Sequence, residues 1–435
     1  MQKFSKTIEW LLCTFIFLLP FQTRWIYKQG FLNNEKWEYG TLSLYATEML
    51  FGIILILSLI FFISKLTKQS LRWSAVKGRR LVSLVLLVLL VSLSCALAVN
   101  PEIALYKFTH LILAAALFAV IVVMKIDWQK ISWAIIISGL FQAGIAIQQF
   151  ASQKVLANKW FGMAEQNPET LGVPVVQLEN LRWLRSFGTL PHPNILAGFL
   201  VIGLILIIGL IASLKQKKLQ KILRLIFVIN FIGLLTTLSR AAIITLVVSI
   251  IVFAFISRKD KILNKTVTKF SLIVFFILII FTVSFPELIL TRTLGNNRVE
   301  NISNVTRVEQ YKEAGSILKD NWLIGVGLGN YTTHLYNQDS TKSAWDYQPV
   351  HNTYLLIFAE LGIVGLAAGL FFIGYLLFYL FKSENWSTER LTGLACLAGL
   401  ASLAFFDHYL WSFYFGIILF AIVLSLIKTN NSKNV

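Results

Sequence analysis

The sequence predicts an all-α polytopic membrane protein with about 12 transmembrane helices and a helical extracytoplasmic cap. Three observations carry the helical membrane architecture. Hydrophobic residues make up 57% of the 435 positions and charged residues 14%, whereas a soluble domain carries roughly a quarter charged residues. Apolar runs of about 20 residues, each long enough to cross a bilayer, recur from end to end. The lysines and arginines gather in short segments between those runs. That placement also explains the net charge of +18: basic loops fix the orientation of a membrane protein, so the charge is no sign of a nucleic-acid partner.

The first five expected spans cover 8–27, 41–63, 81–99, 103–124 and 131–150. Lys3 and Lys6 precede the first run as they would in a signal peptide. No small-x-small cleavage site follows, so the segment reads as a retained helix. Four more spans cover 193–213, 221–237, 241–257 and 270–285, and the last three 362–381, 391–407 and 411–427. Asn100-Pro101, Pro191-His192-Pro193 and Pro286 punctuate them.

With both termini in the cytoplasm, the inside segments collect 24 of the 39 basic residues. The three densest lie at 65–80, 215–224 and 258–269. An eleven- or thirteen-span arrangement would move one of them outside, against the positive-inside rule. Cys13, Cys95 and Cys396 all fall in apolar runs without a CxxC or Cys/His spacing, and read as small buried hydrophobes.

The chain then divides into a membrane domain at 1–285, an extracytoplasmic cap at 286–350 and the last three helices at 351–435. Within the first part, the outside loop 151–190 is too long for a simple connector, as is the cap segment. The cap nearly balances six basic residues against seven acidic ones, so an anion site there must be built from particular arginines. Between Thr306 and Asp320, Val308, Tyr311, Ala314, Ile317 and Leu318 fall on one face of a helix, which Gly325-Val326-Gly327-Leu328-Gly329-Asn330 ends. That glycine run follows no strand, so it is not read as a nucleotide loop. The outside loops hold no paired-carboxylate metal signature, and no cofactor is expected.

A few residues could carry chemistry. Arg240 sits between two apolar runs at the outer membrane edge, where it either snorkels to headgroups or clamps a phosphate with its guanidinium fork. His351 closes the cap and opens an apolar helix. It either caps that helix or moves a proton, since imidazole titrates near neutrality. Arg307 precedes the cap helix and read alone is a surface residue. Arg182 and Arg185 flank Trp183, a set that suits sugar and phosphate contacts or interfacial anchoring. His192, between two prolines, reads as a turn residue. Asp407-His408 is either a proton relay or a polar tip. Glu48 and Glu360 lie in or near apolar runs and are expected to pair with an arginine.

Taken in order, these motifs resemble the O-antigen ligase and polymerase superfamily of bacterial envelope enzymes. The resemblance rests on Gly188-Thr189-Leu190-Pro191-His192-Pro193-Asn194-Ile195-Leu196-Ala197, on Ser239-Arg240, on Arg307 leading to Trp322 through Asn330, and on His351-Asn352-Thr353-Tyr354-Leu355 with Glu360-Leu361-Gly362. They span roughly 186–365, and the flanking spans match only in number and character. The resemblance implies a C-type glycosyltransferase-like fold and metal-independent transfer of a glycan from a polyprenyl diphosphate, such as undecaprenyl diphosphate, to an acceptor hydroxyl. It implies Arg240 and Arg307 as diphosphate binders and His351 as the residue that activates the acceptor. Arg182, Arg185 and Asn352 complete the candidate substrate-binding set. Alanine follows Arg240 where many relatives carry glycine, a departure too small to move the arginine.

The expected partners are the lipid-linked glycan donor, a glycan or lipid acceptor and the bilayer of the cytoplasmic membrane. A ligase, a polysaccharide polymerase and a protein-glycosylating enzyme are all compatible with the residues. A flippase would instead string charges through several helices, whereas these spans are nearly charge-free.

Overall fold

The computed structural model describes residues 2–66, 91–179, 181–294, 298–381 and 386–428. Helix α1 (Gln2–Leu18) is stopped by Pro20, and strand β1 (Arg24–Lys28) follows it. Strands β2 (Phe31–Leu32), β3 (Glu35–Lys36) and β4 (Leu42–Tyr45) lead to α2 (Ala46–Leu66). Then come α3 (Pro101–Val123), α4 (Trp128–Ser152), β5 (Val175–Gln177), β6 (Arg182–Leu184) and α5 (Pro193–Ser213). Next are α6 (Lys217–Thr236), α7 (Arg240–Ser257), α8 (Lys261–Ser284), α9 (Pro286–Leu294), α10 (Arg298–Asn321) and α11 (Tyr331–Gln338). The chain continues through α12 (Thr353–Phe381), α13 (Thr388–Leu403), α14 (Tyr409–Ser412) and α15 (Tyr414–Lys428).

Eight of the described helices are long and apolar enough to cross a membrane. Three other expected spans are shorter helices: α1 with 17 residues, α13 with 16 and α15 with 15. The expected span at 81–99 falls mostly outside the described residues, as does much of the basic segment 65–80. The helices keep apolar outer faces. On α7, Ile244, Val247, Ile251 and Phe255 are all exposed, a stripe that suits lipid and not water.

Helix α5 is the axis of the bundle. The apolar window that qualifies it as a span is 94% buried, against 56% or less for every other candidate span. It packs against α4, α6, α7, α8 and α13. Pro193 at its first position and the His192 imidazole, which accepts from Asn194 N at 3.2 Å, fix its start.

The described residues also form three two-stranded antiparallel ribbons that the helical expectation did not include: β1 with β4, β2 with β3, and β5 with β6. The expected first span ran to residue 27. Past Pro20, however, the run Trp25-Ile26-Tyr27 favours strand, and Arg24 pairs with Glu38 at 2.6 Å. The second helix accordingly starts at Ala46.

Expectation and structure also differ on the inward face of α10. Val308 and Tyr311 are 55% and 44% exposed. The buried residues are Glu300, Gln310, Ala314 and Ile317. At 3.6 residues per turn these four, with Arg307, fall within an arc of about 100°. The helix lies over a polar site, so its docking face is polar where it meets that site and apolar beyond it.

Helix α12 is broken at Gly362, whose φ of 64° and ψ of −174° are not helical. The glycine-rich segment after α10 fills the break. Val326 N donates to Ala359 O at 3.0 Å and Gly327 N to Glu360 O at 2.9 Å. In return Ile363 N donates to Trp322 O at 2.8 Å. The run that superficially resembles a nucleotide loop is thus a backbone lock on the last long span.

Candidate active site

The C-terminal end of α6 is a tight turn, with Leu238 in the left-handed region at φ 51°. Such a turn leaves helix-end carbonyls without intrahelical donors. Three consecutive carbonyls here are satisfied from other elements. Thr236 O accepts from Ser186 N at 3.2 Å. Thr237 O accepts from Arg185 Nε at 2.8 Å and Leu238 O from Arg292 Nε at 3.2 Å. Two guanidiniums are thereby anchored beside Arg240, the first residue of α7.

Arg240 Nη1 donates to Arg292 O at 2.7 Å, and its Nη2 lies 3.1 Å from Glu300 Oε2. The other oxygen of Glu300 pairs with Arg292 Nη1. One carboxylate, 1% exposed, therefore holds two arginines, while the Arg240 side chain stays 37% exposed. Arg307, two turns after Glu300 on α10, contributes positive charge to the surroundings of both Arg292 and His351.

Asn194 joins this cationic wall to the acid–imidazole side. Its Oδ1 accepts from Arg185 Nη2 at 2.7 Å and from Ser239 Oγ at 3.0 Å. Its Nδ2 donates to Asp407 Oδ2 at 3.0 Å. Asp407 Oδ1 accepts from His408 N at 2.8 Å, and its carbonyl accepts from Thr353 Oγ1 at 2.8 Å. The His351 and His408 rings stand edge to face with centroids 5.1 Å apart. His408 Nδ1 lies 2.6 Å from Ser412 Oγ, and His351 Nδ1 lies 2.7 Å from Gln310 Oε1.

The charge balance follows from burial. Burial and the neighbouring Arg292 push the pKa of Arg185 down, as burial, Arg240 and Arg307 do for Arg292. An anion beside them would relieve that cost. Burial lowers His351 below the usual 6.5, with Arg307 acting in the same sense and Asp407 against it. Burial takes His192 and His408 down to about 3. For Asp407, burial works upward, but His408, His351, His192 and the Asn194 amide outweigh it and hold the carboxyl at about 2. At neutral pH the site thus presents neutral imidazoles, an ionised Asp407 and four guanidiniums.

Of the residues singled out in the sequence, Arg185, Arg240, Arg307, His351 and Asp407-His408 come together here. Arg185 is held by the Thr237 carbonyl and by Asn194. Arg182 is outside this network, with its Nη2 turned toward Thr170 O at 3.4 Å. Asn352 caps α12 by accepting from Leu355 N at 3.0 Å. His192 caps α5, as its place between prolines suggests. Glu48 and Glu360, expected to pair with arginine, meet other partners. Glu48 meets His110 Nε2 at 3.0 Å, and Glu360 accepts from Gly329 N at 2.9 Å and Trp411 Nε1 at 2.7 Å, with Lys107 as its nearby cation.

Sequence reading missed Arg292, Glu300, Gln310 and the hub role of Asn194. The signal for two of them is the spacing of Glu300, Arg307 and Gln310, which places three polar residues on one helical face.

A search of curated proteins gives no match. Residues 225–370 match the family described as O-antigen ligase. The match includes Arg240, Arg292, Glu300, Arg307, Gln310 and His351, while Arg185, Asn194, Asp407 and His408 reach the site from outside it. The match covers about a third of the chain and, among apolar helices, supports the O-antigen ligase and polymerase superfamily.

Proposed function

We propose that this chain is an O-antigen ligase-like glycosyltransferase of the cytoplasmic membrane. It moves a glycan from a polyprenyl diphosphate to an acceptor hydroxyl on the extracytoplasmic side, and both its termini are cytoplasmic. The observation that carries the proposal is the meeting of Arg185, Arg240, Arg292 and Arg307 with His351 at one end of the bundle. Four guanidiniums against the carboxylates of Glu300 and Asp407 leave an excess of positive charge that suits a diphosphate. The basic loops at the opposite end support the orientation.

In this reading His351 takes the proton of the acceptor hydroxyl as its oxygen bonds to the anomeric carbon of the donor sugar. The bond from that carbon to the diphosphate oxygen breaks, and its electron pair leaves with the diphosphate. Arg240 and Arg307 stabilise the charge that develops there, as fixed cations in a water-poor site do best. Glu300 keeps Arg240 and Arg292 aligned before the donor arrives. The arginines supply the charge that a metal ion supplies in other phosphoryl-leaving reactions, so the transfer is metal-independent.

Deleting the gene and profiling lipid-linked glycans tests the function. Long chains stranded on the carrier are the expected result and mark a ligase. Single repeat units would mark a polymerase with the same chemistry, and an unchanged lipid-linked pool would overturn the proposal. A second test is pH. Because burial lowers His351 below 6.5, the base stays unprotonated into mildly acidic solution. The acid limb of transfer activity should therefore fall below pH 6.5, and a limb at or above 7 would contradict the assigned base.

A further inference from the structure

We propose that Gln310 is a positioning residue that fixes the tautomer of His351, so that Nε2 presents its lone pair to the acceptor hydroxyl. The inference rests on the base role given to His351 above. Gln310 Oε1 lies 2.7 Å from His351 Nδ1 and 3.4 Å from the backbone N of the same residue. A backbone N–H can only donate. The amide must therefore turn its oxygen toward His351, because the reversed amide would set its own N–H groups against that donor. An oxygen can only accept, so Nδ1 carries the hydrogen, and in the neutral ring the lone pair falls to Nε2.

The helix turn that carries the amide is held. Gln310 is 4% exposed, and its backbone carbonyl accepts from the hydroxyl of Tyr331, which is 1% exposed, at 3.4 Å. It sits one turn after Arg307 on α10. One helix thereby aims the imidazole and adds a cation near the expected leaving group. The groups facing His351 are His408 at its ring edge, Asp407, Arg307 and His192. Orienting groups for catalytic imidazoles are often carboxylates, which raise ring basicity as they orient it. A neutral amide orients without that increase, which leaves the ring able to give its proton up again after transfer. Gln310 makes and breaks no covalent bond in the step.

The test compares Gln310→Leu, Gln310→Glu and His351→Ala with the full-length wild type. The substrate is the solubilised envelope fraction of a strain lacking the gene, and release of free polyprenyl diphosphate is followed across pH. Gln310→Leu should lose about 10- to 100-fold in rate, since a misaimed ring misplaces the reacting atom. Gln310→Glu keeps the acceptor for Nδ1–H, so it should hold activity within about threefold and move the acid limb up by about one pH unit, because a carboxylate favours the imidazolium. Altered packing alone would not move that limb.

An unshifted acid limb in Gln310→Glu overturns the proposal, as does a wild-type rate and pH profile in Gln310→Leu. If Gln310→Leu fails to accumulate, Gln310→Glu decides alone. Wild-type release by His351→Ala would sink the base role itself, whereas an inactive His351→Ala beside an unshifted Gln310→Glu sinks only the positioning role.

Discussion

His351→Ala is expected to lower glycan transfer by about 10²- to 10⁴-fold, the range over which a positioned general base acts, while the protein folds and inserts as before. The effect should be catalytic because little of the fold depends on the ring. Its side-chain polar contact is with the Gln310 amide, and the His408 ring stands edge to face with it. The backbone around it is fixed independently, by Thr353 N donating to Ala404 O at 2.7 Å and by the Asn352 cap on Leu355 N. Arg240→Ala should likewise abolish product, for a different reason: Glu300 keeps Arg292, but the half-exposed guanidinium that can reach a headgroup is gone. Complementation of a deletion strain, with glycans profiled on and off the carrier, reads both variants. Size-exclusion of the detergent-purified proteins checks that they fold. Normal transfer by either variant would remove that residue from the mechanism.

The bilayer made much of this fold legible. A spanning helix must be apolar over its whole length, so the spans announce themselves, and α5 occupies 193–213 as expected. Polar residues stranded between apolar runs stand out for the same reason, as Arg240 and His351 do. The rest was hidden because it obeys other rules. Hydrophobic periodicity assumes that apolar residues point inward, and on α10 that placed Val308 and Tyr311 inside. Over a polar site the inward residues are Glu300 and Gln310. Arg185 reads in the sequence as a phosphate contact or an interfacial anchor, and neither reading foresees its bond to a carbonyl left bare by the turn at Leu238. Nothing in local sequence reveals such a debt when donor and acceptor lie 52 positions apart.

The glycine run near residue 325, which ends the cap helix as its sequence suggests, also locks α12 through backbone hydrogen bonds, and the largest structural effect is expected there. Gly362→Ala should destabilise the protein by about 4 kcal/mol, combining a conformation nearly restricted to glycine with several lost backbone hydrogen bonds. A Cβ at Gly362 would lie 2.1 Å from Leu323 O and 2.4 Å from Ile324 N. Both are backbone atoms, so no rotamer change relieves the contact. The two segments would have to part, taking with them the bonds from Ile363 N to Trp322 O and from Gly327 N to Glu360 O. The damage should reach the site. Glu360 accepts from Trp411 Nε1 at 2.7 Å, and Trp411 N donates to His408 O at 3.0 Å. Loosening the lock therefore frees the turn that holds His408 against His351. Gly362→Ala should show a lower melting temperature in detergent and reduced transfer per folded molecule, whereas Gly369→Ala, with open space around its Cβ on the same helix, should show neither. Equal melting temperatures for the two variants would mean that the break at Gly362 is not locked by the glycine-rich segment.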